Sequence, residues 1–277
     1  VIPKEIRRTM RIREGDPLEI YTSVGGEVIF KKYSPIGELT EFASQYAESL
    51  AMLGYNVYMI DIDPAITTEA RVIADLHSVK CVSEVRDMSE VDAARALHAK
   101  TVEEGYVFDV VVNNAGIFSF CDILNTPLER IETMLLLHDL TLTSMCRLYG
   151  EDMRKRGKGR ILNMSSYSIW MPFPGLALYS ASKAYVKSFT EAFNKELRHT
   201  GVTVTAICPA GIATDLYGLS KSLQRFGLKT GILMSAKSCA RRGLRAMFRG
   251  RSVVVPDWWF KLLIPICMYL PNFLIRP

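Results

Sequence analysis

From Gly54 onward, short apolar runs alternate with longer amphipathic stretches, and this alternation restricts the fold more than any other feature of the chain. Val110-Val111-Val112 is the clearest run. A strand covered on both faces reads as continuous apolar sequence, whereas a half-exposed strand alternates. The runs predict strands at Asn56–Ile60, Val79–Val82, Val107–Asn113, Gly159–Ser165, Val202–Ile207 and Ser252–Val255. Residues at helical spacing fill the intervals, most clearly over 89–104, 127–156 and 179–200. Strand and helix in strict turn imply an α/β fold, a doubly wound parallel sheet of the Rossmann type.

The beginning of the chain has another texture. Residues 1–35 hold a basic run (Lys4, Arg7, Arg8, Arg11, Arg13) and then a short β-rich segment. Glu19–Thr22 and Glu27–Lys31 flank Gly25-Gly26, the signature of a hairpin. Ser34-Pro35 breaks the pattern, and Leu39, Phe42, Ala43, Tyr46, Ala47 and Leu50 predict an amphipathic helix over 38–53. The chain therefore divides into residues 1–35 and a Rossmann-type domain over 36–277.

The 277 residues are enough for a large core, and 49% apolar with 23% charged residues is an ordinary globular balance. Six scattered cysteines form no Cys-x-x-Cys pair and have no histidine at metal spacing. Reduced thiols, no metal site and a cytoplasmic location are expected, since no secretory leader opens the sequence. The net charge of +5 is uneven: residues 217–277 carry eleven Lys or Arg and one acid, Asp257. A basic, apolar end suits an anionic substrate or membrane surface, or is simply a solvated face. Lys261, Pro265 and Pro271 interrupt the apolar stretch Val253–Leu274, which favours a lid, a contact between copies in a homo-oligomer, or an interfacial segment over a membrane span.

Tyr179-Ser-Ala-Ser-Lys183 carries the chemistry. Positions four apart share a helix face, so the phenol and the ammonium serve one site. The ammonium is expected to favour the phenolate and lower a pKa ordinarily near 10, fitting Tyr179 to exchange a proton with a substrate oxygen. Ser166, thirteen residues earlier, follows a strand and offers a hydroxyl to the same oxygen.

Joined to Asn113-Asn-Ala-Gly116 after one buried strand and Cys208-Pro-Ala-Gly-Ile-Ala-Thr214 after another, this pattern resembles the short-chain dehydrogenase/reductase family over residues 54–277. The resemblance extends to its hydroxysteroid and 3-oxoacyl reductase branch. It implies an oxidoreductase acting on an apolar alcohol or ketone, with Tyr179 as acid/base, Ser166 orienting the carbonyl and Lys183 also binding the nicotinamide ribose. Asn113, Ala115 and Gly116 would line the cofactor. Asp87 would contact the adenine, and Pro209, Ile212 and Thr214 the carboxamide. Asp61 would accept the ribose hydroxyls, which favours NAD(H) over NADP(H).

Two departures stand out. Asp139 occupies the position where the family has an Asn in its water and proton relay, and a carboxylate donates no hydrogen bond unless protonated. Of the three glycines in the phosphate loop, only Gly37 remains, in Ile36-Gly-Glu-Leu-Thr-Glu-Phe-Ala43. Pyrophosphate needs bare backbone N–H groups at a helix N-terminus, and Glu38 and Glu41 oppose it. Cofactor affinity should suffer.

The cause lies upstream. Val1–Met10, Ile12–Ile20 and Gly25–Pro35 resemble AbrB-type swapped-hairpin transcription regulators, of the stage V sporulation kind, through about Ser49. That family's first strand has no counterpart here, so the chain reads as a chimera joined near residues 48–54, the reductase's own first strand and Gly-rich loop replaced. A catalytically impaired pseudoenzyme is the second reading. A DNA-binding regulator, with a steep salt dependence, is the weakest. The sheet's first strand is normally central, and an empty slot would strand two rows of backbone groups. Residues 28–32 are the expected replacement.

Overall fold

The computed structural model describes residues 18–22, 28–32, 37–171, 173–213, 220–257 and 259–269. Side chains are described from residue 43, apart from residues 221 and 266–269. Strands β1 (Leu18–Thr22) and β2 (Val28–Lys32) come first, then helix α1 (Gly37–Ala51). The alternation follows as β3 (Val57–Asp61), α2 (Ile66–His77), β4 (Cys81–Val85), α3 (Ala93–Glu103) and β5 (Val110–Asn113). Next are α4 (Leu128–Leu135), α5 (Leu142–Arg156), β6 (Gly159–Met164), α6 (Ala177–Glu196) and β7 (Val202–Ile207). The short strands β8 (Gly211–Ile212) and β9 (Leu233–Met234) flank α7 (Lys221–Thr230). Helix α8 (Ala236–Phe248), β10 (Val253–Val254) and α9 (Phe260–Tyr269) end the described chain. Among the described residues no helix is long and apolar enough to cross a membrane.

The strands pair in parallel in the order β10-β7-β6-β5, and separately β3 with β4. Helices α1 and α8 pack on one face, and α3, α5 and α6 on the other. Apolar strand runs explain the two covered layers: Leu162 and Ile207 meet Tyr46, Leu50, Leu244 and Met247 on the first face. Ile161 and Val204 meet Leu97, Cys146, Tyr149 and Val186 on the second. Each fully buried aliphatic side chain of this kind contributes about 1.5–3 kcal/mol relative to exposure. Turn chemistry closes the units. Helix α5 stops at Gly157, whose φ of 71° is left-handed. Gly201 lies so close that a Cβ there would run into the Gly157 carbonyl.

The predicted hairpin forms, with Leu18 opposite Lys32 and Thr22 opposite Val28. The expectation that residues 28–32 fill the central slot is overturned, because β2 pairs antiparallel with β1 and not with β5. Its sequence gives the reason. A strand covered on both faces must be apolar throughout, and Val28-Ile29-Phe30 gives way to Lys31-Lys32. Among the described residues, nothing pairs with the edges of β3 and β5 that face each other. A cavity of about 500 Å³ lies there, walled by α1, β3, β5 and α5. The single helix expected over 127–156 is also three pieces: α4, a π-helical turn at Leu136–Thr141, and α5.

Candidate active site

Strand β6 delivers Ser165 and Ser166 to the C-terminal edge of the sheet, where Ser166 caps a short 3-10 turn, Tyr167–Trp170, and its Oγ accepts from the Ser168 N–H at 3.1 Å. Helix α6 then carries Tyr179 and Lys183 one turn apart, as their spacing required. Tyr179 is half-buried and hydrogen-bonds Ser166. The Lys183 ammonium is buried, donates to the Met164 carbonyl at 3.0 Å, and stands 5.8 Å from the Tyr179 ring centre. The three residues assigned to the proton chemistry are therefore brought together.

Their electrostatics differ from expectation. Burial pushes the Tyr179 phenol up to about 12, with the Ser166 hydrogen bond pulling the other way. Burial pushes Lys183 down to about 8, opposed by the Asp139 carboxylate. The expected lowering of the Tyr179 pKa by the ammonium is thus overturned: burial raises it, and the opposing pull comes from Ser166. Burial also raises the Asp139 carboxyl to about 6, against the pull of Lys183. Among the described residues Asp139 Oδ1 is buried without a hydrogen-bond partner, so no donor to that oxygen offsets the burial of the charged form.

His138 went unread in the sequence. It sits on the π-helical turn, 1% exposed, and its Nε2 accepts from the Ile117 N–H at 2.9 Å. That bond leaves the proton on Nδ1, which lies 2.9 Å from Ser182 Oγ, and Ser182 in turn donates to the Tyr179 carbonyl. Burial first, and Lys183 second, hold the imidazole well below its ordinary pKa. One neutral ring thereby ties the loop after β5 to the helix bearing Tyr179. A Cβ on Gly116 would lie 2.9 Å from His138 Nε2 and 3.4 Å from Lys183 Nζ, which is why this position is glycine. A lone histidine inside the apolar run Leu135-Leu-Leu-His-Asp-Leu140 was the available signal.

The residues assigned to a dinucleotide divide into two groups. Asp61, Asp87, Asn113, Ala115 and Gly116 all line the cavity. Asp61 Oδ1 accepts from the Asp63 N–H at 2.9 Å, and Asp87 Oδ1 from the Ser89 N–H and hydroxyl at 2.8 and 2.7 Å. Asn113 Nδ2 donates to Asn163 Oδ1 at 2.8 Å, so its side chain binds β5 to β6. Pro209 accepts from Tyr167 N–H, and Ile212 is buried in β8. Thr214 lies outside the described residues. Gly37 is the first residue of α1. A nicotinamide dinucleotide fits these residues at its ribose and nicotinamide ends. Residues 33–36, which lead into α1 where its pyrophosphate would lie, are outside the described residues.

The short chain dehydrogenase family matches residues 36–223, and the family described as antidote-toxin recognition MazE, bacterial antitoxin, matches residues 1–37. The 3-oxoacyl-[acyl-carrier-protein] reductase of Synechocystis sp. is 34% identical over 175 residues, 61% of this chain and 69% of its own. The probable oxidoreductase EphD of Mycobacterium tuberculosis is 31% identical over 203 residues, 73% of this chain; the chain spans about a third (32%) of EphD. Stage V sporulation protein T of Bacillus subtilis is 48% identical over 106 residues, 37% of this chain and 59% of its own. A 7β-hydroxysteroid dehydrogenase structure shares the fold with a TM-score of 0.74 at 23% identity, covering 83% of this chain and 88% of that one. A short-chain dehydrogenase from Sphingobium yanoikuyae, in complex with NADPH, gives 0.70 at 23% identity, covering 80% and 87%. The two family models abut at residues 36–37, the likeness to the sporulation protein overlaps the reductase match, and over residues 36–223 of this chimeric architecture the chain belongs to the NAD(P)-dependent short-chain dehydrogenase/reductase family.

Proposed function

We propose that this chain is a reductase of an apolar ketone, of the hydroxysteroid or 3-oxoacyl type, acting in the cytoplasm with NAD(H) in preference to NADP(H). The hydrogen-bonded Tyr179–Ser166 pair beside buried Lys183 carries the reading. A bound nicotinamide would supply the hydride; the chain's own residues hold the carbonyl oxygen and move a proton. Ser166 would donate a hydrogen bond to that oxygen, and Tyr179 would hand over the phenolic proton as charge develops. Burial holds the phenol at about 12, so it stands protonated at neutral pH with a proton to give to that oxygen. Phe118 meets the Tyr179 ring edge-on at 5.0 Å, an apolar surround suited to such a substrate.

The NAD(H) preference rests on the Asp61 carboxylate at the end of β3, which would repel a 2′-phosphate. The nearby Arg86 is engaged by Glu84, with its Nε at 2.7 Å and an Nη at 2.6 Å from Oε1, and so offers that phosphate little. The NADPH held by the Sphingobium relative leaves this choice open to test. A second reading, the impaired pseudoenzyme, is favoured by the open slot between β3 and β5. Paired titrations followed by nicotinamide fluorescence decide among these. NADH is expected to bind at least about tenfold more tightly than NADPH, roughly 1.4 kcal/mol. Equal or reversed affinities would remove the Asp61 assignment. Failure of both cofactors to bind at roughly 10 mM, weaker than about 3 kcal/mol, would leave the pseudoenzyme.

A further inference from the structure

Strands β7 and β10 run parallel, with Ala206 opposite Val253 and Ile207 opposite Val254. Both therefore leave the sheet at the edge where β6 delivers Ser166. The segments that follow them are laced together and to the residue after Ser166. Cys208 N–H donates to the Val254 carbonyl at 2.8 Å. Tyr167 donates its N–H to the Pro209 carbonyl at 2.8 Å and its hydroxyl to the Phe260 carbonyl at 2.9 Å. Tyr167, Cys208 and Val255 form a small buried core, with Ala210 and Phe260 packed against it. Beyond it Gly211 and Ile212 pair with Leu233 and Met234, and a Cβ on Gly211 would lie 2.5 Å from the Leu233 side chain.

Residue 210 falls between these ties. Pro209 brings no N–H, and among the described residues no backbone carbonyl takes that of Ala210. The Asp257 carboxylate takes it. This side chain is the one acid in residues 217–277, and it is 6% exposed, where a solvated turn residue would stand open to water. Arg242 of α8 faces the carboxylate and donates to the Pro256 carbonyl at 2.7 Å, which fixes the backbone just ahead of it. Burial raises the Asp257 carboxyl, while the guanidinium and the Ala210 N–H oppose that rise. A buried charge is expensive unless it is paired and hydrogen-bonded, and the bond made here holds a single backbone position. We infer that Asp257 is a positioning residue, which sets the segment Pro209–Ile212 through the Ala210 N–H and with it the nicotinamide end of the site. The inference rests on the reading of this chain as a nicotinamide-dependent reductase.

The probes are NADH and ADP-ribose, which keeps the adenine half and lacks the nicotinamide, each titrated calorimetrically into the full chain. Asp257→Ala removes the acceptor, whereas Asp257→Asn keeps a side-chain oxygen for the Ala210 N–H. The alanine variant is expected to bind NADH at least about tenfold more weakly than the parent and ADP-ribose within about twofold of it. The asparagine variant should recover NADH binding to within about threefold of the parent. Amide exchange at Ala210 should quicken in the alanine variant and not in the asparagine variant, with Ile161 and Leu162 unchanged in both. Should the alanine variant not fold, Asp257→Leu, close in volume and without an acceptor, takes its place. Equal losses for NADH and ADP-ribose would overturn the inference, since a residue that merely supports the fold weakens both. Unchanged NADH binding in the variants, or no rescue by asparagine, would overturn it while the parent's NADH binding keeps the reductase reading. A parent that binds neither probe would overturn that reading, and this inference with it.

Discussion

Tyr179 illustrates how one residue's position and its energetics separate. Its spacing to Lys183 and Ser166 was enough to bring the three together, because a helix repeat and a strand end are set locally. Its pKa was not readable, because desolvation depends on packing from Phe118, His138 and the 3-10 turn, all distant in sequence. Replacing Tyr179 with Phe removes the phenolic proton assigned to the transfer. Turnover of a ketone substrate should fall roughly 10²–10⁴-fold, the usual range for a general acid, with an unchanged melting temperature. Retention of most of the rate would move the acid elsewhere. Asp139 makes a second case. Its carboxyl is raised to about 6 in the folded protein by burial, so folding favours the protonated form. The resulting stability is fully present below the unfolded pKa near 3.8 and is lost as pH rises through about 6. Asp139→Asn removes the charge that burial penalises. The variant's melting temperature should exceed that of the parent by about 2–4 °C at pH 8, a shift of about 1 kcal/mol, and the gap should close at pH 4. A gap that persists or widens at pH 4 would show that Asp139 is not the titrating group.

At the scale of elements, the parallel strands were legible because they are covered on both sides. Val202–Ile207 was bounded to the residue, and the others lie within a few residues of their runs. The π-helical turn was not, because one added residue per turn leaves the apolar count of a long helix almost unchanged. Yet that turn aims both His138 and Asp139 at the site. His138 is its structural keystone, bonded to Ile117 on one side and Ser182 on the other. His138→Ala would strand the Ile117 N–H in a dry interior, at a cost of about 1–3 kcal/mol, while Ser182 would keep its bond to the Tyr179 carbonyl. The expected result is a lower urea midpoint and faster exchange of the Ile117 amide. His138→Asn keeps an acceptor and a donor and should recover part of the loss. An unchanged midpoint in the alanine variant would mean that water replaces the ring.

For the whole molecule, the consequence of the open slot is a sheet in two parts. Residues 57–85 hold together through β3–β4 pairing and a small core of Ala47, Met59, Ile66, Ala70 and Ile73. No ladder joins that part to β5 among the described residues; side chains do the joining. Tyr58 meets Tyr106 edge-on at 5.0 Å and Phe108 at 6.0 Å. Its hydroxyl donates to Glu84 at 2.6 Å, and Lys100 of α3 reaches the same carboxylate at 2.9 Å. On the opposite face, α1 carries Tyr46 and Leu50 into the core formed with α8. The chain's sequence did not disclose this division, because whether a borrowed strand enters a sheet depends on what competes for it, and Leu18–Thr22 competes successfully for Val28–Lys32. Backbone ladders couple strands into one cooperative unit, whereas a few aromatic and ionic contacts couple them weakly. Native-state hydrogen exchange in low denaturant should therefore show Val57, Met59 and Val82 opening together at a lower free energy than Ile161, Leu162 and Val204, whose strands share the intact four-stranded sheet. Tyr58→Ala should lower the first group's opening energy and leave the second group's unchanged. A single opening energy for both groups would mean that the sheet behaves as one piece across the gap, and that the two halves are bridged more strongly than side chains alone allow.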